Sequence, residues 1–163
     1  MARVPNIGAG KNRSMTAPSW LQPPPLRVLV ADDNRDTVLT LTMLLQSEGH
    51  EVRCAYNGID VMRIARLHRF DAIIVDIEMP EMSGYAVAQE VRTHYYGTRV
   101  PLLVAITGKW NKPSEKLLAQ AVGFDHHLEK PCDPNRMLGL LKPLALQRRP
   151  HPPGDATHLH PYK

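Results

Sequence analysis

The sequence predicts a doubly wound α/β domain built on a five-stranded parallel sheet. Three observations point there. Short apolar runs alternate five times with stretches of helical spacing between residues 26 and 147, the pattern of successive strand–helix units. Three of the runs, LRVLVA (26–31), AIIVD (72–76) and VPLLVAIT (100–107), are almost wholly apolar, as strands buried on both faces are. Polar residues gather just past these runs, at the carboxyl ends of the strands, where open parallel sheets bind their ligands.

The elements follow in order. LRVLVA is the first strand. Residues 35–48 place Val38, Leu41 and Leu45 on one helical face, and Gly49 follows as a C-terminal stop. HEVRCA (50–55) alternates at period two and is the second strand. GIDVMRIARLHRF (58–70) returns to helical spacing through Ile59, Met62, Ile64, Ala65 and Leu67. AIIVD is the third strand, and 83–95 a helix with Ser83 at its N-cap. The fourth strand covers 100–107. Pro113 opens a helix over 113–122. FDHHL (124–128) is a short fifth strand, and 134–146 a final helix that Pro143 is expected to end or kink.

Length and composition limit the alternatives. The 163 residues suit one domain of ordinary size. No apolar run approaches the ~20 residues of a membrane helix, and MARVPNIGAGKNRSM lacks a signal-peptide core, so membrane insertion is not expected and a cytoplasmic location is the default. Met15 offers a second start. The formal charge is +4, but residues 1–25 supply +3 and residues 148–163 supply +2, leaving 26–147 at −1. The basic character therefore belongs to the two ends, and specific nucleic-acid binding is not expected. Both ends, 1–25 and 148–163, are rich in proline and poor in periodicity and read as disordered tails; His151, His158 and His160 read as part of a solvated tail. Cys54 and Cys132 form no CxxC and read as reduced thiols near the core.

The chemistry lies in the strand ends. Strand one ends in Asp32–Asp33, strand three in Asp76 and strand four in Thr107, and strand five is followed by Lys130–Pro131. On a parallel sheet these positions share one rim. Carboxylates brought together there repel unless a cation sits among them, and an all-oxygen set favours Mg²⁺. An ammonium and a hydroxyl beside one carboxylate suit a group with three anionic oxygens, which points to a phosphoryl group on Asp76.

With VLVADDN (28–34), VDIEMPEMSGY (75–85), AITG (105–108) and EKP (129–131) in this order, residues 26–147 resemble the receiver domain of two-component response regulators. The resemblance implies a flavodoxin-like sheet of order 2-1-3-4-5. It implies that Asp76 accepts phosphate from a sensor histidine kinase or a histidine phosphotransfer protein. Asp33 and Asp76 would bind Mg²⁺ (with Mn²⁺ a possible substitute), Asp32 largely through water, and Glu78 through its backbone carbonyl. Thr107 and Lys130 would contact the phosphoryl oxygens, Met79–Pro80 and Gly84 would shape the loop, and the Lys130–Pro131 bond is often cis in the family. Signalling would be a conformational switch read by a downstream protein or a second copy through the helix 4–strand 5–helix 5 face. Such a domain is a phosphoacceptor that dephosphorylates itself rather than a conventional turnover enzyme.

Two features depart from the simplest pattern. The family usually has Tyr or Phe three residues before the lysine; here it is His127, expected to act with Thr107 as the switch and able to titrate between pH 6 and 8, with His126 the alternative. Glu78 and Lys109 flank the site and are expected to tune the lifetime of the phosphate. HEVR (50–53) suggests a histidine-kinase box but lies on a strand, and Glu78 stands where haloacid-dehalogenase-type phosphatases need a second aspartate. A docking module independent of phosphorylation is the competing function. Whether the chain acts alone, shuttles phosphate, or is part of a hybrid kinase or multidomain regulator stays open.

Overall fold

The computed structural model describes residues 24–95, 99–108 and 113–147. The expected tails (Pro24 and Pro25 apart), their histidines and Lys109 lie outside the described residues. Five parallel strands, β1 (Arg27–Ala31), β2 (Glu51–Ala55), β3 (Ala72–Asp76), β4 (Leu102–Thr107) and β5 (His126–Glu129), form one sheet in the order β2-β1-β3-β4-β5. Helices α1 (Arg35–Ser47), α2 (Gly58–Leu67), α3 (Gly84–His94), α4 (Pro113–Ala121) and α5 (Pro134–Gln147) alternate with them. This is the predicted fold and strand order.

Alternation along the strands sends side chains into two cores. Leu29, Ile73, Val75, Leu103 and Ala105 pack on one face with Val61, Val87, Val91 and Phe124. Val28, Val30, Ile74, Val104 and Ile106 pack on the other with Val38, Leu45, Met137 and Leu141. β3 is central and all five of its residues are buried, as expected of a strand covered on both faces.

Local chemistry sets the helix ends. Asn34 Oδ1 accepts from the N–H groups of Asp36 (2.9 Å) and Thr37 (3.2 Å), Asn57 Oδ1 from Asp60 (2.8 Å), and Ser83 Oγ from Ala86 (3.4 Å), satisfying donors that a helix start leaves open. Gly49, at φ 84°, ends α1 in the left-handed conformation.

Three expectations are corrected. α2 stops at Leu67, not at residue 70: His68 turns extended at its C-cap and Phe70 goes into the core. Ile59 and Leu67 of that helix are 53% and 73% exposed and drop out of the packed stripe, which keeps the expected Met62 and Ala65 and adds Val61. β5 begins at His126 because Phe124 is buried and Asp125 turns its Oδ2 to the Leu103 N–H at 2.7 Å. α5 runs through Pro143 to Gln147.

The loop after β3 is pressed from two sides. A Cβ at Gly84 would meet the Asp76 carbonyl oxygen and come within 2.8 Å of Ile77 Cα; at Gly58 it would meet the Met82 carbonyl oxygen and come within 2.7 Å of Met82 Cβ. The contacts at Gly84 are with backbone, which cannot rotate away. Gly84→Ala is therefore expected to cost about 2 kcal/mol or more, as overpacking does, whereas Gly49→Ala, with nothing within 4 Å but a positive φ, should cost only about 1 kcal/mol. Equilibrium urea denaturation of the two variants checks this; equal losses would remove the packing argument.

Candidate functional site

The sheet brings together side chains almost a hundred residues apart. Carboxylate oxygens of Asp32, Asp33 and Asp76 lie within 4.8 Å of one another. Lys130 Nζ stands 2.7 Å from Asp32 Oδ2 and 2.9 Å from Asp76 Oδ2. Asp32 and Asp76 are buried and Asp33 is exposed. The second oxygen of Asp32 accepts the Asn34 N–H at 2.9 Å, so this carboxylate also holds the start of α1.

One oxygen in the cluster remains poorly satisfied: among the described residues Asp76 Oδ1 has no hydrogen-bond partner, whereas Asp32 Oδ2 is held by the ammonium at 2.7 Å. Buried acceptors of this kind are rare and costly. Burial raises the Asp76 carboxyl above the ordinary carboxylate range; Lys130 opposes the rise, nearby Asp32 adds to it, and the Glu78 backbone amide opposes it. Burial also acts to lower Lys130, but its contacts with Asp32 and Asp76 outweigh this and raise it. The ammonium is thus firmly charged between carboxylates that repel each other. All-oxygen ligands, a local excess of negative charge and the unsatisfied buried Asp76 Oδ1 fit a hard divalent cation.

Thr107 is buried at the end of β4. Its carbonyl accepts the Lys130 N–H at 2.8 Å, so the backbone that carries the ammonium is fixed to the backbone that carries the hydroxyl. The Lys130–Pro131 bond is cis. Thr107 lines a cavity of about 390 Å³ with Met79, Tyr85, Glu115 and Leu118. Glu78 is exposed at its edge.

His127 is half-buried and pairs in register with Ala105, on the face toward the Phe124 core. His126 is exposed on the opposite face. Burial first, then the positive charges of Lys116 and Arg136, hold the His127 imidazole below its ordinary range. Its titration therefore moves to the acid side of the expected window.

The loop holds a feature the sequence did not announce. Glu81 sits at φ 68°, and Met82 donates its N–H to the Pro80 carbonyl at 2.7 Å. This is a γ-turn with a non-glycine residue at its centre, a strained arrangement. Nothing in Met-Pro-Glu-Met signals it, because glutamate is not a turn residue of that type.

An acidic rim at the carboxyl ends of a 2-1-3-4-5 sheet, closed by a lysine, is the constellation of a phosphoacceptor receiver. The family model described as the response regulator receiver domain matches residues 28–142, and the chain belongs to that family. It is 31% identical over 131 residues to the response regulator MprA of Mycobacterium avium, covering 80% of this chain and 55% of that protein; the chain thus spans about half the length of this relative. The structure of the chemotaxis response regulator CheY4 of Vibrio cholerae superposes with a TM-score of 0.66 at 31% identity, covering 74% of this chain and 99% of that one. The receiver domain of the sensor histidine kinase PA1611 of Pseudomonas aeruginosa, solved with a magnesium ion in its active-site cleft, gives a TM-score of 0.66 at 26% identity, covering 75% and 98%. Receiver domains bind Mg²⁺ at an acidic site and interact with histidine kinases or phosphotransfer proteins; here Asp32, Asp33 and Asp76 form an acidic cluster.

A carboxyl raised by folding binds its proton more tightly in the folded state. It therefore lowers stability as pH rises from the ordinary 3.8, and the cost grows until pH passes the raised value. Asp76→Asn keeps the shape and the Lys130–Asp32 pair. In chelator-treated buffer at pH 7 it should be more stable than the native chain by on the order of 1 kcal/mol, the gain shrinking as pH falls toward 4. Thermal unfolding across pH 4–7 measures this; a loss of stability at pH 7 would show that the Asp76–Lys130 pair outweighs the burial cost.

Proposed function

We propose that Asp76 is the phosphoacceptor of a two-component signalling pathway, fed by a phosphohistidine on a sensor histidine kinase or a histidine phosphotransfer protein. A carboxylate oxygen of Asp76 attacks phosphorus; the O–P bond forms as the N–P bond breaks, and the imidazole leaves. The observation that carries this reading is the shared ammonium, with Lys130 reaching both Asp32 and Asp76. A lysine so placed can follow the negative charge from the carboxylate to the phosphoryl oxygens.

The cation would be held by Asp33, Asp76 and the Glu78 carbonyl, with Asp32 acting largely through water. When bound, Mg²⁺ offsets repulsion between the carboxylates and the incoming phosphoryl oxygens; Mn²⁺ has the same preference for oxygen and could replace it. The Thr107 hydroxyl would donate to one phosphoryl oxygen and move toward it. That movement opens or fills the cavity beside Tyr85 and Leu118, and His127 on the neighbouring strand responds. The Glu78 carboxylate, exposed beside the site, would pair with Lys109 and restrict attacking water. The readout is the face of α4, β5 and α5, where Leu117 is 67% exposed and Leu146 64%; a downstream protein or a second copy would cover it.

Acetyl phosphate with Mg²⁺ should add one phosphoryl group, labile to hydroxylamine and absent from Asp76→Ala. Asp33→Asn removes an exposed ligand without disturbing a buried charge, and should slow labelling by more than about tenfold. Mass spectrometry of the intact chain reads both. Labelling of Asp76→Ala equal to the native chain would overturn the assignment. In the labelled protein, Glu78→Ala and Lys109→Ala should each change the rate of phosphate loss, and unchanged rates would remove the lid.

A further inference from the structure

The amino ends of the strands, about 13 Å from Asp76 along β3, carry a second site of opposite charge. α2 ends at Leu67, and among the described residues one corner of the sheet is left exposed. In rows farther along the same face, Ala31, Ala55 and Val75 are buried. In the uncovered corner the pattern turns to Arg27, Glu51 and Arg53, all exposed. These floor a cleft of about 550 Å³ whose walls bring Arg69, His50 and His68. Arg27, Arg53, Arg69, His50 and His68 thus line the cleft beside one lining carboxylate, Glu51. Asp71 keeps its negative charge nearby while its Oδ2 accepts the Arg27 N–H at 2.7 Å, and with Glu48 it acts on His50.

Several of these groups are held in position. The Arg69 guanidinium lies 5.1 Å over the ring of Tyr95, a fully buried residue whose hydroxyl donates to the His68 carbonyl at 3.2 Å. The His68 ring stands edge-on to Phe70, with centroids 6.5 Å apart. His50 Nδ1 accepts the Leu26 N–H at 3.4 Å, which directs its other nitrogen to carry the proton and donate. The chain's own ends are poor occupants, because residues 1–23 contain three basic residues and no acid, and residues 148–163 three basic residues and one acid.

We propose that this cleft binds a small phosphate-bearing anion of nucleotide size, its phosphates on Arg27, Arg53 and Arg69 and its ring against His68. The planar forks of arginine match phosphate oxygens two at a time, and the volume lies within the range of small-ligand sites. The site is separate from the Asp76 rim and needs no metal, so it can be tested with the cation removed.

The full chain, labelled with ¹⁵N, is titrated with ATP and, separately, with inorganic tripolyphosphate, in EDTA and low salt. ATP should produce saturable amide shifts at Arg27, residues 50–53 and residues 68–70, and bind several-fold tighter than tripolyphosphate. Arg53→Gln, an exposed change on the edge strand, should weaken ATP about tenfold, as loss of one charge-assisted contact does, leaving the thermal midpoint and acetyl-phosphate labelling unchanged. Arg53→Lys should recover only part of the affinity. Absence of saturable shifts at millimolar ATP, or shifts spread over the surface, would overturn the proposal. So would ATP affinity unchanged by Arg53→Gln. Equal binding of tripolyphosphate would overturn the nucleotide assignment, as would binding confined to long single-stranded RNA.

Discussion

The ion contacts of Lys130 with Asp32 and Asp76 are the constraint on which the site rests. Two buried carboxylates this close cannot both stay charged without a compensating cation. The ammonium supplies part of that compensation, but one positive charge leaves the three-carboxylate cluster negative. On the proposed reading, the residual imbalance would make the site receptive to a divalent ion, and the ion in turn would make it receptive to a phosphoryl group. Each step depends on the lysine being held in place, which the hydrogen bond from its backbone to the Thr107 carbonyl does. Strand order completes the arrangement: β3 lies between β1 and β4, so Asp76 is flanked by the ends that carry Asp32 and Thr107.

Acids at the two rims of the sheet do different work. At the amino ends, Asp71 accepts the Arg27 N–H and Asp125 the Leu103 N–H, both at 2.7 Å. Each lies before its own strand and captures the first free donor of a neighbouring one, a partner a strand end otherwise lacks. Arg92 adds a 2.8 Å contact to Asp125. These carboxylates are satisfied and serve architecture. Those at the carboxyl ends share a single ammonium and leave Asp76 Oδ1 without a hydrogen-bond partner among the described residues, and they are the ones assigned chemistry in the proposed function. The sequence contains a sign of the first kind: Phe70–Asp71 and Phe124–Asp125 repeat the same pair ahead of β3 and β5. In both, the phenyl ring is buried and anchors the turn.

Strands buried on both faces were the most legible part of the chain. β3 matches its apolar run residue for residue, because nothing else could occupy the centre of the sheet. Legibility fell at the edges. β5 was misplaced by two residues because Phe124 is apolar yet belongs to the preceding turn. The expectation for α2 is too long because Phe70 is apolar yet belongs to the core ahead of β3, and its stripe is misassigned because Ile59 and Leu67 are apolar yet exposed, which periodicity cannot detect. Pro143 lies within α5, where tertiary packing of Met137, Leu141 and Ala145 overrides the local cost of a proline. At the site, residue types at strand ends were sufficient to gather Asp32, Asp33, Asp76, Thr107 and Lys130. Burial, which shifts the Asp76 and His127 equilibria, depends on neighbours distant in sequence and could not be read.

The loop from Ile77 to Ser83 shows how such a site tolerates its own cost. Its γ-turn at Glu81 is strained, and the carboxylate that precedes it is buried at an energetic penalty. Neither would persist in a free chain. The loop is held at both ends and in the middle: Ile77 donates to the Ile106 carbonyl at 3.1 Å, Gly84 donates back to the Ile77 carbonyl at 2.9 Å, and Gly58 lets α2 close on Met82. Ile77 and Met79 are buried beneath it. Over-determination of this kind is what allows a strained conformation to be populated. It also means that the loop cannot relax by small steps when the charge on Asp76 changes. On the proposed reading, a group added there would have to be accommodated by a neighbour with room to move, and Thr107 borders such a space with Glu115 and Leu118 of α4.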